Sequence, residues 1–448
     1  MIFNFHIKNL GRKARSMWAQ LEGRTTAKIA AVFLIFLFTL AIFADFIAND
    51  RPLYAHYNGE VHYPFLTPLR IDSVWNYNEG KYQKFAYNTV DWRSLPLESV
   101  VWPLIPYSPN RLDPHNRKPI PPGAAQFYET YWGELKPIPR RLRHWLGTYT
   151  NGQDVLAGLI HGARISLMVG ILSVLIAFFI GIFVGSLAGF YGDTRLKTSR
   201  ARYLLTFLSL FFAYFYGFYV RRYTLTEAGE EGALAFLGAI TVSFLWAFTS
   251  IFLGQKVGKF LGKMGGFLGK EIAFPIDWWV SRVIEILRSI PVILLIIAFS
   301  VVFGGSVVFV ILIIGLTGWT GVARLIRAEF FRVVNLDYME AGRALGFHER
   351  RLIFKHALPN AIGPVLVSIS FGIAGAIMVE SMLSFLNIGV GPDVVTWGTL
   401  LRKGRSNFDM WWLTVFPGFM IFLTVLAFNL LGERLRDVLD PRDELHNS

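Results

Sequence analysis

Few side chains in this 448-residue chain stand in arrangements that do chemistry. There is no cysteine, which removes disulfides, thiolate nucleophiles and Cys-ligated metal or iron–sulfur sites and leaves the redox compartment unreadable. The nine histidines include no spacing that puts two ligands on one helix face, so no metal site is expected. No Gly-x-x-x-x-Gly-Lys-[Ser/Thr] string is present, so no P-loop holds a nucleotide. Glu380 lies inside an apolar run, where an ionisable group is costly and faces the protein interior or a water-filled path. A translocation-pathway or packing role is preferred for it over snorkelling to the lipid interface, and a catalytic role is remote. Trp75, Trp92 and Trp102 belong to a polar stretch; local packing or interfacial anchoring suits them better than peptide binding. Pro291 and Pro417 mark helix starts or kinks.

The string of most interest runs Asp337-Tyr338-Met339-Glu340-Ala341-Gly342-Arg343-Ala344-Leu345-Gly346, followed by Arg350, Arg351, His356, Ala357, Leu358 and Pro359. It predicts a helix, a Gly break and a second short helix stopped by Pro, with Ala341, Gly342 and Ala344 leaving a shallow face that another protein can grip. Taken alone, a solvated loop whose charges only fix topology carries more weight.

The elements around it belong to a membrane protein. The chain is 53% hydrophobic and 17% charged, with forty Phe and thirteen Trp, too apolar for a soluble enzyme of this length. Its formal charge of +13 is then concentrated outside the bilayer, where it suits anionic lipid headgroups; the basic residues sit between apolar runs rather than on one soluble face, which disfavours nucleic acid. A basic arm (Lys8, Arg12, Lys13, Arg15, Arg24) precedes Lys28 to Ala48, which is too long for a signal sequence and lacks a cleavage site, so it predicts a first, uncleaved span. Polar sequence follows to about Trp145. Further spans are expected at Ile165–Phe190, Tyr203–Val220, Leu234–Leu253, Val283–Phe303, Val307–Val322, Val365–Leu386 and Trp411–Leu431, with a polar turn at Arg221–Gly232 and a short turn at Gly304–Ser306. That makes eight helices. Basic short loops at 191–202, 254–282 and 323–359 and in the tail put both termini in the cytoplasm; Arg221 and Arg222 are a mild exception on the outer side.

The spacing Glu-Ala-x, three residues, Gly, and then Leu-Pro resembles the EAA motif of permease subunits in ABC importers. Glu340, Ala341, Gly346, Leu358 and Pro359 match it, while Gly342 replaces an Ala and His356 stands where Ile is common. Lys355-His356-Ala357-Leu358-Pro359-Asn360 is similar to the peptide-transporter branch. So, in order, are His144–Thr148, Gly162–Leu167, Ser289-Ile290-Pro291, Trp319 with Ala323-Arg324, Glu380 with Leu383–Leu386, Trp397-Gly398, Pro417-Gly418, Phe428-Asn429, Leu435-Arg436-Asp437 and Asp440-Pro441. Together they resemble the second, C-type permease of dipeptide and oligopeptide importers, and Ile47–Leu53 is similar to the Yej-type branch, whose substrates include peptides and microcin C. Three departures stand out: Tyr149 and Gln153 replace the usual Asp and Arg, Glu285 replaces Asp, and Asp193 to Ala273 is an insertion.

The resemblance implies an all-α membrane protein with the type I ABC importer transmembrane fold: six core helices plus about two inserted helices and a large irregular periplasmic loop. The segments are a cytoplasmic arm and first span (1–48), the periplasmic loop subdomain (49–164), the second span (165–192), the inserted hairpin with basic flanks (193–273), the core permease helices with the coupling loop 323–359 (274–432) and a cytoplasmic tail (433–448). It implies a non-catalytic permease of the bacterial inner membrane that moves di-/oligopeptides or peptide-like compounds. ATP and Mg would be held by one or two ABC ATPase subunits, docked through Tyr338, Glu340, Ala341, Arg343, Ala344, Leu345, Gly346, His356, Leu358 and Pro359. The other implied partners are a homologous second permease, forming a heterodimer, a periplasmic peptide-binding protein and the lipid bilayer, with no nucleic acid and no cofactor in this chain. A proton-coupled secondary transporter is the alternative, and it would want more intramembrane carboxylates and an internal repeat. A receptor or intramembrane enzyme would want a signalling domain or a catalytic pair; neither is evident.

Overall fold

The computed structural model describes residues 25–439, apart from 58, 66–72, 79–80, 87–91, 93–94, 96, 114–117, 130–134, 232, 304 and 392. The basic N-terminal arm and Asp440-Pro441 lie outside the described residues. In chain order the principal helices are α1 (Thr25–Ile42), α2 (Val155–Tyr191), α3 (Arg200–Tyr214), α4 (Arg222–Glu231), α5 (Ala233–Lys263), α6 (Ile276–Ser289), α7 (Val292–Phe303), α8 (Val307–Val333), α9 (Asp337–Ala344), α10 (Gly363–Phe385), α11 (Trp397–Arg405) and α12 (Trp412–Leu439). The strands are β1 (Tyr54–Tyr57), β2 (Glu60–His62), β3 (Ser73–Asn78), β4 (Lys81–Ala86), β5 (Ser99–Val101), β6 (Phe127–Glu129), β7 (Leu135–Pro137), β8 (Lys197–Ser199) and β9 (Glu271–Ala273).

Seven helices among the described residues are long and apolar enough to cross a membrane: α1, α2, α3 with its continuation to Tyr219, α5, α8, α10 and α12. The eighth expected span, Val283–Phe303, is two helices. Pro291 has no N–H to donate and pushes the preceding residue out of the helical region, and Ile290 is extended at φ −94°, ψ 122°. The part before the break, α6, is amphipathic, carrying Trp278, Arg282, Glu285 and Arg288. The polar turn expected at Arg221–Gly232 is instead the ten-residue helix α4.

The chain divides into two compact units. The first comprises Met1–Phe178, Ile296–Trp319 and Gly363–Ser448. Its main core joins Leu34 and Leu37 of α1, Leu159, Ala163 and Leu167 of α2, Ile377 of α10, Trp397 and Leu400 of α11, and Leu413 and Phe428 of α12. Arg164 fastens α2 to the end of α1, donating through Nε to the Ala41 carbonyl at 2.8 Å and pairing with Asp45 at 2.9 Å. The polar stretch after α1 holds a three-stranded antiparallel sheet in the order β2-β1-β5 and the hairpins β3–β4 and β6–β7. Trp92 is buried against Ala55, with Leu95, Leu97 and Trp102 around it, which is a packing role; the Trp75 side chain lies outside the described residues.

The second unit comprises Phe179–Leu295 and Thr320–Ile362. Here the end of α2 lies so close to α8 that a Cβ on Gly185 would stand 2.4 Å from the Ala323 carbonyl oxygen, the small-residue contact that lets helix backbones approach. The insertion leaves and re-enters this unit through a single ribbon, β8 antiparallel to β9, with Lys197 opposite Ala273 and Ser199 opposite Glu271. Beyond the ribbon, α3 and α5 pair as a hairpin in which Gln255 accepts from Arg202 and donates to Thr206 at 2.6 Å. At its far end Arg221 donates to Ser243 at 3.2 Å and Arg222 lies over the Tyr219 and Tyr223 rings, so the two exceptions to the charge pattern are both engaged within the hairpin.

Candidate functional site

Helix α9 starts after Leu336 with Asp337 and Glu340 in its first turn and Arg343 in its last, the charge order that a helix dipole favours. It ends in a Schellman turn: the Phe347 N–H donates to Gly342 at 3.0 Å and the Gly346 N–H to Arg343 at 2.9 Å, with Gly346 at φ +72°. A left-handed residue at that position closes the helix and suits glycine. The chain then doubles back through Glu349–Arg351, a π-helical stretch Leu352–Ala357 and the turn Leu358–Ala361.

The expectation that Pro359 stops the second helix is corrected by this geometry. Pro359 occupies the first turn of Leu358–Ala361, and the preceding residues have shifted to i→i+5 bonding. A proline breaks the bond that its own N–H would have made four residues back, and the wider turn is one way a helix absorbs that loss.

Met339 and Gly342 on α9 and Leu352, Ile353 and Ala357 on the returning arm are all buried. A Cβ on Gly342 would stand 2.9 Å from Leu352 Cδ2, which explains why the second small residue of the motif is Gly here. The opposite face is open: Asp337, Tyr338, Glu340, Ala341, Ala344 and Leu345 are exposed, Leu345 by 73%. Tyr338 accepts at 3.2 Å from Asn360, next to Pro359, and so links the arms. Arg343 turns back to donate to the Val334 carbonyl at 3.4 Å. His356 stacks on the Phe347 ring at 5.8 Å and Arg351 lies over that same ring at 4.0 Å; among the described residues the buried Nε2 of His356 has no hydrogen-bond partner. Leu358 is half-buried and Pro359 exposed. Tyr191, at the end of α2, donates to Glu349 at 2.7 Å.

Glu380 is elsewhere, in the first unit. It is fully buried, and its carboxyl oxygens accept from Ser384 at 2.8 Å, Ser166 at 3.0 Å and Ser381 at 3.4 Å. It does not snorkel. The hydroxyls come from α2 and α10, and the same pocket is lined by Thr396, the cap of α11. Among the described residues no group of three or more His, Cys, Asp or Glu could hold a metal ion.

One cluster has no counterpart in the residues singled out as candidate sites. His144 is buried between two carboxylates, Nδ1 2.7 Å from Asp154 and Nε2 3.2 Å from Asp113, and its ring lies 4.0 Å from Tyr107. Burial alone would push its pKa down, but the hydrogen bonds and charges of Asp113 and Asp154 outweigh it and hold the imidazole above its ordinary value. Asp154 also caps α2 through the Ala157 N–H at 2.7 Å. Tyr149, one of the departures, is buried with its hydroxyl donated to the Pro109 carbonyl at 2.7 Å and Lys403 4.0 Å over its ring. Burial, and then the neighbouring Arg402, bring Lys403 down to about 8.

Residues 262–443 match the family described as binding-protein-dependent transport system inner membrane component. The chain is 34% identical over 203 residues to the oligopeptide transport system permease protein OppC of Haemophilus influenzae, a stretch covering 45% of this chain and 64% of that protein. It is 37% identical over 209 residues to a Brucella suis protein named for a peptide transport system permease, covering 44% of this chain and 70% of that one. Similarity to the inner membrane ABC transporter permease protein YejE of Escherichia coli runs at 26% over 436 residues, 95% of this chain and 96% of the relative. With seven candidate spans and a matched region that contains the helix–Gly–helix segment, the chain belongs to the family of binding-protein-dependent transport system inner membrane components, in its dipeptide and oligopeptide permease branch.

Proposed function

We propose that this chain is the permease subunit of an ATP-binding-cassette importer for di-/oligopeptides or peptide-like compounds, and that α9 with the returning arm to Ala361 is the part gripped by the ATPase. The observation that carries this reading is the division of labour on α9. Met339 and Gly342 are buried, Gly342 against Leu352, while Tyr338, Glu340, Ala341 and Leu345 are exposed. A short helix held rigid from behind, with small residues and one large apolar side chain presented, suits insertion into a groove. His356 and Arg343 then support the arch from within. Rigid-body motion of the gripped helix would pass ATPase closure to the spans and switch access between the two faces.

The partners in this reading are a homologous second permease, one or two ATPases carrying ATP and Mg, and a substrate-binding protein on the outer side. Both termini lie in the cytoplasm. Glu380 is read as an interior polar node that fixes α2 to α10. The proton-coupled alternative has no observation in its favour.

The test is co-purification from cells expressing the whole transport system. Glu340→Lys and Leu345→Asp, both at exposed positions, should leave insertion and the second permease in place while removing the ATPase and uptake. Wild-type ATPase recovery with both variants would overturn the docking role.

A further inference from the structure

The second unit contains a cavity of about 710 Å³ that the docking segment does not use. Its walls come from α6 and α8, and four arginines line it: Arg282, Arg288, Arg324 and Arg327. Three carboxylates share the cavity, and each is occupied. Asp277 takes Arg327 in a two-pronged pair, with Nη2 to Oδ2 at 2.7 Å. Glu285 holds Arg282 at 2.5 Å. Asp193 accepts the Trp278 N–H at 2.9 Å. Among the described residues, Arg288 and Arg324 therefore face the cavity with no carboxylate of their own, and the hydroxyl of Ser281 on the same wall has no hydrogen-bond partner.

Guanidinium groups set around a cavity of this size suit a phosphate, which accepts several N–H donors at once. The surroundings narrow the source. Asp193 lies two residues past the end of α2, Arg324 and Arg327 lie in the charged last turns of α8, and Trp278 is 45% exposed beside Arg282. This is the level at which a span meets the headgroup region, where Trp and Arg concentrate. We propose that the cavity is a headgroup site for an anionic phospholipid, its phosphate taken by Arg288 and Arg324 and its chains lying along the neighbouring helices. The site is independent of which solute the permease moves.

The experiment is native mass spectrometry of the full chain in detergent, delipidated and then titrated with phosphatidylglycerol or phosphatidylcholine. Phosphatidylglycerol should give a retained one-to-one adduct, and Arg288→Gln with Arg324→Gln should lower its occupancy about tenfold or more, as expected for losing a charged hydrogen-bond pair. Arg288→Gln alone, at an exposed position in the last turn of α6, leaves the Asp277–Arg327 pair untouched and should show part of the same loss if the double variant does not fold. Lys256→Gln with Lys259→Gln and Lys263→Gln should leave this adduct in place. Equal occupancy in wild type and the arginine variants overturns the site. Displacement of the lipid by inorganic phosphate at millimolar concentration overturns the lipid assignment.

Discussion

Gly346 serves α9 by conformation, and Gly342 serves it by size. Gly346 has open space where a Cβ would go but stands at φ +72°, so Gly346→Ala should cost about 1–2 kcal/mol in closing the turn and should loosen amide exchange protection across Asp337–Phe347; Gly346→Asn, which tolerates that region, should lose less. The helix carrying Glu340 and the Gly346 that closes it were legible along the chain, because a capped helix and its Gly are local, whereas the place of Pro359 inside the returning arm was not. The reason for Gly342 was not, since Leu352 reaches it only after the chain has folded back. His144 was legible only as part of a string, because Asp113 sits 31 residues before it. Its chemistry yields a pH dependence. A histidine whose folded pKa is raised contributes stability fully below its unfolded value near 6.5, and that contribution is lost as pH rises through the raised folded value. Limited proteolysis of the polar stretch between α1 and α2 should therefore speed up as pH climbs past that point, and His144→Gln should flatten the dependence.

At the scale of elements, hydrophobic runs found the spans but started α2 at Ile165 rather than Val155 and ended α8 at Val322 rather than Val333, because polar and charged residues continue both helices past their apolar stretch, and they misjudged two joints. A run that contains Pro291 looks continuous by composition, yet the ring divides it into α6 and α7. Polar composition looked like a turn where Glu227, Ala228 and Glu231 build α4. The short helix α11, with its Thr396–Thr399 capping box and buried Trp397 and Leu400, was missed because a nine-residue amphipathic helix between two spans carries little signal of its own. The insertion gives the sharpest element-level prediction. Lys197 and Ala273 are cross-strand neighbours, so a direct join of Leu196 to Phe274 spans the gap of about 5 Å between paired strands. Removing 197–273 should preserve ATPase recovery in co-purification. A cut that begins at Asp193 should do worse, because the Trp278 N–H loses its acceptor.

For the whole molecule, orientation is the property that most needs a direct reading, and the absence of cysteine makes it simple. Leu345→Cys and Leu112→Cys both put a thiol at an exposed position; a membrane-impermeant maleimide should reach the second in intact cells and the first only after the inner face is opened. Labelling of both from one side would refute the assigned topology. The ribbon β8–β9 bears on the same question. It gathers Arg195, Lys197, Arg200, Arg202, Lys256, Lys259, Lys263 and Lys270 to one end of the inserted pair, while the other end has only Arg221 and Arg222 among its glutamates. Threading such a pair backwards would drag that whole cationic cluster through hydrocarbon, so the charge layout of the inserted pair by itself opposes the reverse sense, a second source of orientation besides the N-terminal arm.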